Sequence, residues 1–309
     1  MLILGIESSC DDTGAAVVED GAILRSSIVS SQDAIHAKYG GIVPELASRR
    51  HIEMIIPVVD EALKQAAVTI EEIDGVAVTQ GPGLAGSLLV GLSFAKSLSY
   101  AMDIRFAGVN HIEAHVMAAF LHKSDSKEKA APDFPFVALV VSGGHTTLLH
   151  VKAFTRSEII GHTVDDAAGE AFDKVAKLLG LGYPGGLAID RLAKDGNPSF
   201  VEFTRPYMAK GNLNFSFSGV KTAVQTYVKG RKNGRLPETL KDLAASFQEA
   251  VVDVLVYKAM RAVSAVNSKT LVLAGGVACN SRLRAKLKAE AGKQGLRLFI
   301  PEPHLCSDN

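Results

Sequence analysis

The sequence predicts an α/β protein made of two similar lobes. Three observations carry that prediction. Strand-like apolar runs alternate with helical patterns over most of the 309 residues. Glycine-rich turns follow several of those strands. A β-turn-β opening occurs twice, on either side of a polar stretch closed by prolines. In order, residues 2–6 and 14–18 read as strands joined by the polar turn SSCDDT, and 22–30 as a third strand. Residues 44–67 repeat apolar side chains at helical spacing: Ile52, Ile55, Ile56, Val59, Ala62 and Leu63. A strand at 76–79 is followed by GPGLAG, which turns the chain into a helix through Tyr100. A short strand near 106–109 leads into a helix containing NHIEAH.

Residues 122–135, HKSDSKEKAAPDFP, are polar, charged and proline-bounded, the composition of a linker. The predicted division is a first lobe at 1–122, a linker at 123–135 and a second lobe at 136–309. The plan then restarts. Residues 136–141 form a strand, SGGHT a glycine turn, and 147–154 a second strand. A helix-rich stretch spans 165–194 and a long helix 236–266. A strand at 270–274, the turn GGVACN, a helix at 281–294 and a last strand at 297–300 complete it.

Lysine plus arginine equals aspartate plus glutamate, 33 each, so no bulk field draws the chain onto nucleic acid or an anionic membrane. Any RNA contact must come from local patches or a partner. The three cysteines, Cys10, Cys279 and Cys306, have no paired spacing, which excludes a disulfide framework and fits a reducing compartment. The apolar start is broken by Glu7 and lacks a basic leader, and no run approaches the roughly 20 apolar residues of a membrane span. A cytoplasmic protein with no membrane partner is expected.

His111 and His115 stand four apart on one helical face, the spacing of a zinc or iron half-site. A metalloprotease would need glutamate directly after the first histidine, and Ile112 stands there. Asp308 and His304 are rival third ligands, and spacing does not choose between them. The turns Val141-Ser142-Gly143-Gly144-His145 and Gly275-Gly276-Val277-Ala278-Cys279-Asn280 can present backbone amides to an anion, with Asn280 placed to bond a base or ribose. Neither fits the dinucleotide or P-loop pattern, which argues against a Rossmann dehydrogenase or P-loop ATPase. Asp11 and Asp12 sit on the first hairpin turn. Asp165, Asp166, Glu170 and Asp173 cluster around a helix start, where acids are also simply favoured. Cys10 and Cys279 have no indicated histidine base and read as small packing residues.

Together, ILGIESSCDDTGAAVV, GPGLAGSLLVG, NHIEAH, VSGGHT, DDAAGEAFDKVAKLLGLGYPGG, FSFSGVKTAV, GGVACNSRL and CSDN resemble the bacterial tRNA N6-adenosine threonylcarbamoyltransferases, the TsaD family, in order and over nearly the whole chain. The resemblance implies a two-lobed actin, Hsp70 and sugar-kinase-like (duplicated ribonuclease-H-like) α/β fold with an interlobe cleft. It implies transfer of a threonylcarbamoyl group from threonylcarbamoyl-AMP to N6 of adenosine 37 in tRNAs reading codons that begin with A, releasing AMP. It assigns His111, His115 and Asp308 to one divalent metal ion, iron(II) favoured over zinc. It assigns Val141, Ser142, Gly143, Gly144, His145, Asp173, Gly186, Asp190 and Asn280 to the adenylate, and Asp11 to the reacting centre. The family continues for about another helix beyond SDN, returning toward the first lobe, whereas this sequence stops at Asn309.

The expected mechanism has the cation polarise the carbamoyl carbonyl, amides near Ser142–Gly144 steady the phosphate, and Asp11 receive or orient the N6 proton. Expected partners are tRNA, a companion actin-like subunit (TsaB-like) and a small ATPase (TsaE-like), with a homodimer in their absence. Helical faces around 43–63 and 87–100 are the expected docking surfaces. Among the basic groups Arg49-Arg50-His51, KGRKNGR at 229–235, and Arg282, Arg284, Lys286 and Lys288, the glycine-containing second suits tRNA phosphates best. The alternatives are a metallopeptidase, a label this family once carried, a sugar-kinase-like ATPase on the same fold, and a non-catalytic scaffold.

Overall fold

The computed structural model describes residues 1–123, 130–207, 211–230 and 240–307. The chain separates into two compact units, Met1–Ala131 and Pro132–Ser307, each with its own sheet and core.

The first unit opens with three antiparallel strands, β1 (Leu2–Glu7), β2 (Thr13–Glu19) and β3 (Ile23–Ser30). After a short helix α1 (Asp33–His36) comes α2 (Pro44–Ala66), which starts at a proline, the residue whose missing N–H costs nothing at a helix start. Its buried face, Ala47, His51, Ile55, Val58, Val59 and Ala62, lies against the sheet strands β2 and β3. Strands β4 (Gly75–Gly81) and β5 (Arg105–Asn110) flank α3 (Ala85–Met102) and extend the sheet in parallel from β1, and α4 (His111–Met117) follows β5. His122 and Lys123, the start of the polar stretch, pair with Ile23 and Leu24 as a short β6 (His122–Lys123). The sheet order is β5-β4-β1-β2-β3-β6.

The second unit repeats the plan. Strands β7 (Phe136–Val141), β8 (Thr146–Ala153) and β9 (Arg156–His162) are antiparallel. Helices α5 (Ala168–Leu178), α6 (Gly185–Ala193), α7 (Ser218–Lys229) and α8 (Leu240–Ala265) follow, then β10 (Thr270–Ala274), α9 (Ser281–Lys293) and β11 (Arg297–Phe299). The order β11-β10-β7-β8-β9 matches β5-β4-β1-β2-β3 strand for strand, so the topology is duplicated without a visible residue repeat. Every residue of β7, FVALVV, is buried, as expected of a strand covered on both faces. Helix α8 is buried almost all round. Its Phe247 meets Phe172 of α5 edge-on at 5.3 Å, and burying a side chain of this size is worth about 1.5–3 kcal/mol.

Two elements depart from the sequence reading. β9, RSEIIGH, is an edge strand with mostly exposed residues and two register shifts, so it lacks an apolar alternation. In α7, valine or threonine recurs at every second position from Val220 to Val228, which imitates a strand. A helix forms because Val220, Val224 and Val228, four apart, all enter the core. Helix α8 also holds a buried lysine, Lys258, whose Nζ donates to the carbonyls of Tyr207 and Asn212.

Candidate functional site

In the first unit the chemistry gathers where β1 ends and α4 begins. Asn110 closes β5, and its Oδ1 accepts from the N–H groups of Ile112 (2.9 Å) and Glu113 (3.3 Å), which starts α4. One turn apart on that helix, His111 and His115 are both buried, with ring centroids 4.5 Å apart and planes inclined at 67°. His111 Nδ1 lies 3.1 Å from Glu7 Oε2 and 3.1 Å from Ser9 Oγ. Thr79 Oγ1 donates to Glu7 Oε2 at 2.6 Å, and the Ser9 N–H donates to Oε1 at 2.7 Å. Burial by itself pushes the Glu7 pKa up, but the bonds from His111, Thr79 and Ser9 outweigh it and hold the carboxyl below its ordinary value. An ionised Glu7 accepting the Nδ1 proton places the imidazole lone pair on Nε2, the tautomer this network selects and the one used in carboxylate–histidine–metal sites.

The β1–β2 turn carrying Asp11 is pinned within the same unit. The Leu84 N–H donates to Ser9 O at 2.7 Å, and Ser8 Oγ donates to Ser87 O at 2.9 Å. A Cβ added at Gly83 would lie 2.5 Å from Ser9 O, so GPGLAG needs glycine for this approach. His51 Nε2 donates to Cys10 O at 3.1 Å while Nδ1 meets Thr13 Oγ1 at 2.8 Å, and burial lowers its pKa, which keeps it neutral. Asp11 is buried, and Asp12 Oδ1 accepts from the Gln32 N–H at 2.9 Å. Two buried imidazoles, one oriented by a carboxylate, fit the donor chemistry of zinc or iron(II). Among the described residues no group of three acidic, histidine or cysteine side chains converges on one point. Asp308 lies outside the described residues. His304, its rival, is exposed with Nδ1 3.3 Å from Glu302.

In the second unit the glycine turns meet in one corner. The turn after β7 closes through Ser142 N–H to His145 O, 2.8 Å. Gly143 and Gly144 are exposed, and a Cβ on either would meet nothing within 4 Å. Ser142 is fully buried, and its Oγ has no hydrogen-bond partner among the described residues. Gly275, at φ +88°, brings the turn after β10 so close that a Cβ would lie 2.5 Å from Val141 O. Gly169 at the start of α5 approaches Ser142 O equally tightly, so only glycine fits.

The polar residues assigned to the adenylate hold this corner together. Asp173 Oδ1 accepts from the Gly185 N–H at 2.8 Å, beside Gly186, whose α-carbon faces open space. Asp190 Oδ1 accepts from Ser281 N–H (3.1 Å) and Oγ (2.8 Å). Asn280 Oδ1 caps α9 through the Leu283 N–H at 2.9 Å, and its Nδ2 donates to Gln248 Oε1 at 2.7 Å. Both ends of the Asn280 amide are thus engaged by protein. The acidic cluster is neutralised. Asp166 pairs with Lys174 (2.8 Å) and Lys221 (2.9 Å), and Glu170 with Lys174 (2.8 Å). Asp165 accepts from Ser216 Oγ and the Phe217 N–H at the start of α7.

The basic groups are largely engaged nearby. Arg282 and Lys286 pair with Glu249, and Lys286 also with Asp253; Arg284 donates to the Ala278 and Pro301 carbonyls. Arg49 and Arg50 pair with Glu45 and Glu53. Of KGRKNGR, only Lys229 and Gly230 are described, and 231–235 lie outside the described residues.

A model of the family described as tRNA N6-adenosine threonylcarbamoyltransferase, TsaD, matches residues 23–309. Over the whole chain, the sequence is 57% identical to the enzyme of that name from Geotalea uraniireducens, covering 88% of it. It is 56% identical to that of Geobacter sulfurreducens, covering 88%, and 52% to that of Desulforapulum autotrophicum, covering 91%. The chain belongs to the tRNA N6-adenosine threonylcarbamoyltransferase family.

That family is one of transferases, and the chain is accordingly an enzyme. Solved structures agree on the fold. Full-length HypF in its phosphate- and nucleotide-bound form aligns over 99% of this chain and 53% of that one, with TM-score 0.62 at 15% identity. Component A of the Acidaminococcus fermentans (R)-2-hydroxyglutaryl-CoA dehydratase aligns over 100% and 95%, with TM-score 0.55 at 15% identity. The doubled α/β plan read from the sequence is the plan observed. Glu7, Gln248 and Gly169 were not singled out as site residues from the sequence. The available signal for Glu7 was an acid at the end of an otherwise apolar strand, and for Gln248 an amide amid the buried residues of α8.

Proposed function

We propose that this chain transfers the threonylcarbamoyl group from threonylcarbamoyl-AMP to N6 of adenosine 37 in tRNAs that read codons beginning with A, releasing AMP. The carrying observation is identity above 50% to named transferases over the entire chain. N6 is a weak nucleophile because its lone pair is delocalised into the ring, so the protein must hold the donor and stabilise developing charge. In the second unit, the open amides at Gly143 and Gly144 and the buried Ser142 hydroxyl support an anion site for the adenylate phosphate, backed by His145 and the Gly275 turn. Asp173, Gly186, Asp190 and Asn280 belong to that site as the residues that set its walls.

In the first unit, His111 and His115, together with Asp308, would hold one divalent cation, iron(II) in preference to zinc. When bound it supplies Lewis-acid polarisation of a carbonyl. Glu7 orients His111 for that role. Asp11, buried on the pinned turn, is assigned to receive or orient the N6 proton. Partners are tRNA, a companion actin-like subunit and a small ATPase, with a second copy of this chain in their absence. Exposed Ile52 and Ile56 on α2 and Leu89 and Tyr100 on α3 support a docking face on the first unit. No helix among the described residues is long and apolar enough to cross a membrane, and the proposed compartment is the cytoplasm. The test is incubation with unmodified tRNA, threonine, bicarbonate, ATP and the companion proteins, followed by nucleoside mass analysis. Absence of the threonylcarbamoyl nucleoside would overturn the reading.

A further inference from the structure

Helix α8 shows solvent one narrow edge. From Leu243 to Val263 every residue is buried except Glu249, Asp253, Tyr257 and Arg261, which stand four apart on one helical face. Tyr257 is the odd member. The helix buries its other large apolar side chains along this stretch yet leaves this ring 42% exposed. A second tyrosine leans against it. The Tyr207 and Tyr257 ring centroids are 4.6 Å apart, with planes inclined at 54°, and Tyr207 is 39% exposed. The Arg261 guanidinium carbon lies 5.9 Å from the Tyr257 ring centre. We propose that Tyr207, Tyr257 and Arg261 form an RNA contact on the second unit, where an unpaired base stacks on the tyrosine pair and a neighbouring phosphate meets Arg261.

The platform is built before any ligand arrives. Arg205 Nε donates to Asp253 Oδ2 at 2.9 Å, and the buried Lys258 ammonium donates to the Tyr207 carbonyl at 2.7 Å, so the segment carrying Tyr207 is fixed to α8 at two points. The Tyr207 N–H also donates to Arg205 O at 2.8 Å. Ordering the rings therefore costs a ligand little. Charge along the edge is lopsided. Arg205, Arg282 and Lys286 engage Asp253 and Glu249, while Arg261 has no acidic partner among the described residues. Four cations thus stand with two carboxylates, on a chain whose formal net charge is zero. Open aromatic rings beside surplus positive charge suit single-stranded nucleic acid, because every base has a flat face to stack and every nucleotide a phosphate. An acidic peptide would meet the cations but offers no such face to the rings. The contact rests on the transferase reading only for naming the RNA as tRNA.

The test irradiates the full chain and unmodified tRNA with ultraviolet light, digests the RNA, and maps nucleotide-bearing peptides by mass spectrometry. The expected adduct is on Tyr207 or Tyr257. Fluorescence anisotropy with labelled tRNA runs beside it. Tyr257→Ala should weaken binding roughly tenfold or more, whereas Tyr257→Phe, which keeps the ring, should stay within about twofold of wild type. Arg261→Gln should reduce the salt slope of binding by about one. Adducts confined to other residues, or Tyr257→Ala binding as tightly as wild type, would overturn the proposal. The wild-type adduct map needs no variant, so a substitution that failed to fold would not shield the idea. Assaying transfer on the same wild-type sample keeps the two readings apart. Modified nucleoside without a tyrosine adduct sinks this contact alone, and a tyrosine adduct without modified nucleoside supports the contact while sinking the transferase reading.

Discussion

Replacing Asn280 by alanine should destabilise the second unit by about 2–4 kcal/mol before any effect on ligand binding is considered. Two contributions sum to that figure. The side-chain oxygen caps α9 through the Leu283 N–H, and losing such a cap costs about 1 kcal/mol. The side-chain nitrogen satisfies Gln248 Oε1, which is buried and would be left with an unmade bond at roughly 1–3 kcal/mol. For a unit of this size, each kcal/mol moves the melting temperature by about 2–4 °C, so a fall of roughly 5–15 °C is expected. Asn280→Asp makes the control. Its oxygen still caps the helix, and Gln248 can turn its amide to donate, so the loss should be under about 1 kcal/mol. Thermal and urea unfolding of both variants, read beside transfer rates, separates a wall residue from a ligand. Equal stability of wild type, Asn280→Ala and Asn280→Asp would refute this account of the corner.

Gly275→Ala places a Cβ 2.5 Å from Val141 O on a residue at φ +88°, and should cost about 2–4 kcal/mol in urea unfolding; an unchanged midpoint would show that the two turns do not depend on this approach. Glu249 is held at about 2 chiefly by the Arg282 hydrogen bond, assisted by Lys286, against an ordinary value of 4.5. Its stabilisation is therefore complete above pH 4.5 and fades as pH falls from there toward 2. Because the Arg282 side chain is 44% exposed, the contribution is about 1–2 kcal/mol. Glu249→Gln should flatten the acid limb of the stability–pH curve in that window, and an identical limb would count against the pairing. Glu7→Gln should weaken metal retention by roughly 10–100-fold, measured by elemental analysis across a chelator series. Full retention would mean that His111 needs no carboxylate to orient it. His111→Ala and His115→Ala should each abolish stoichiometric metal, and a variant that still binds one equivalent would remove that histidine from the proposed set.

Much of this protein was legible along the chain. The paired histidines of NHIEAH, the glycine turns after β7 and β10, and nearly every core strand followed from periodicity and turn chemistry, because these depend on neighbours a few residues away. The strand β9 and the helix α7 did not, since an edge strand needs no apolar face and a valine–threonine alternation suits either structure until a core selects every fourth side chain. The site's supporting contacts were hidden for a further reason. Glu7 reaches His111 across 104 residues, Asp190 reaches Ser281 across 91, and Asn280 reaches Gln248 across 32. Pairings at such separations are set by how strands order in a sheet and how helices pack on it. The residue types and their spacing determined which groups could bind a cation or an anion, whereas tertiary packing decided which carboxylates and amides hold those groups in place.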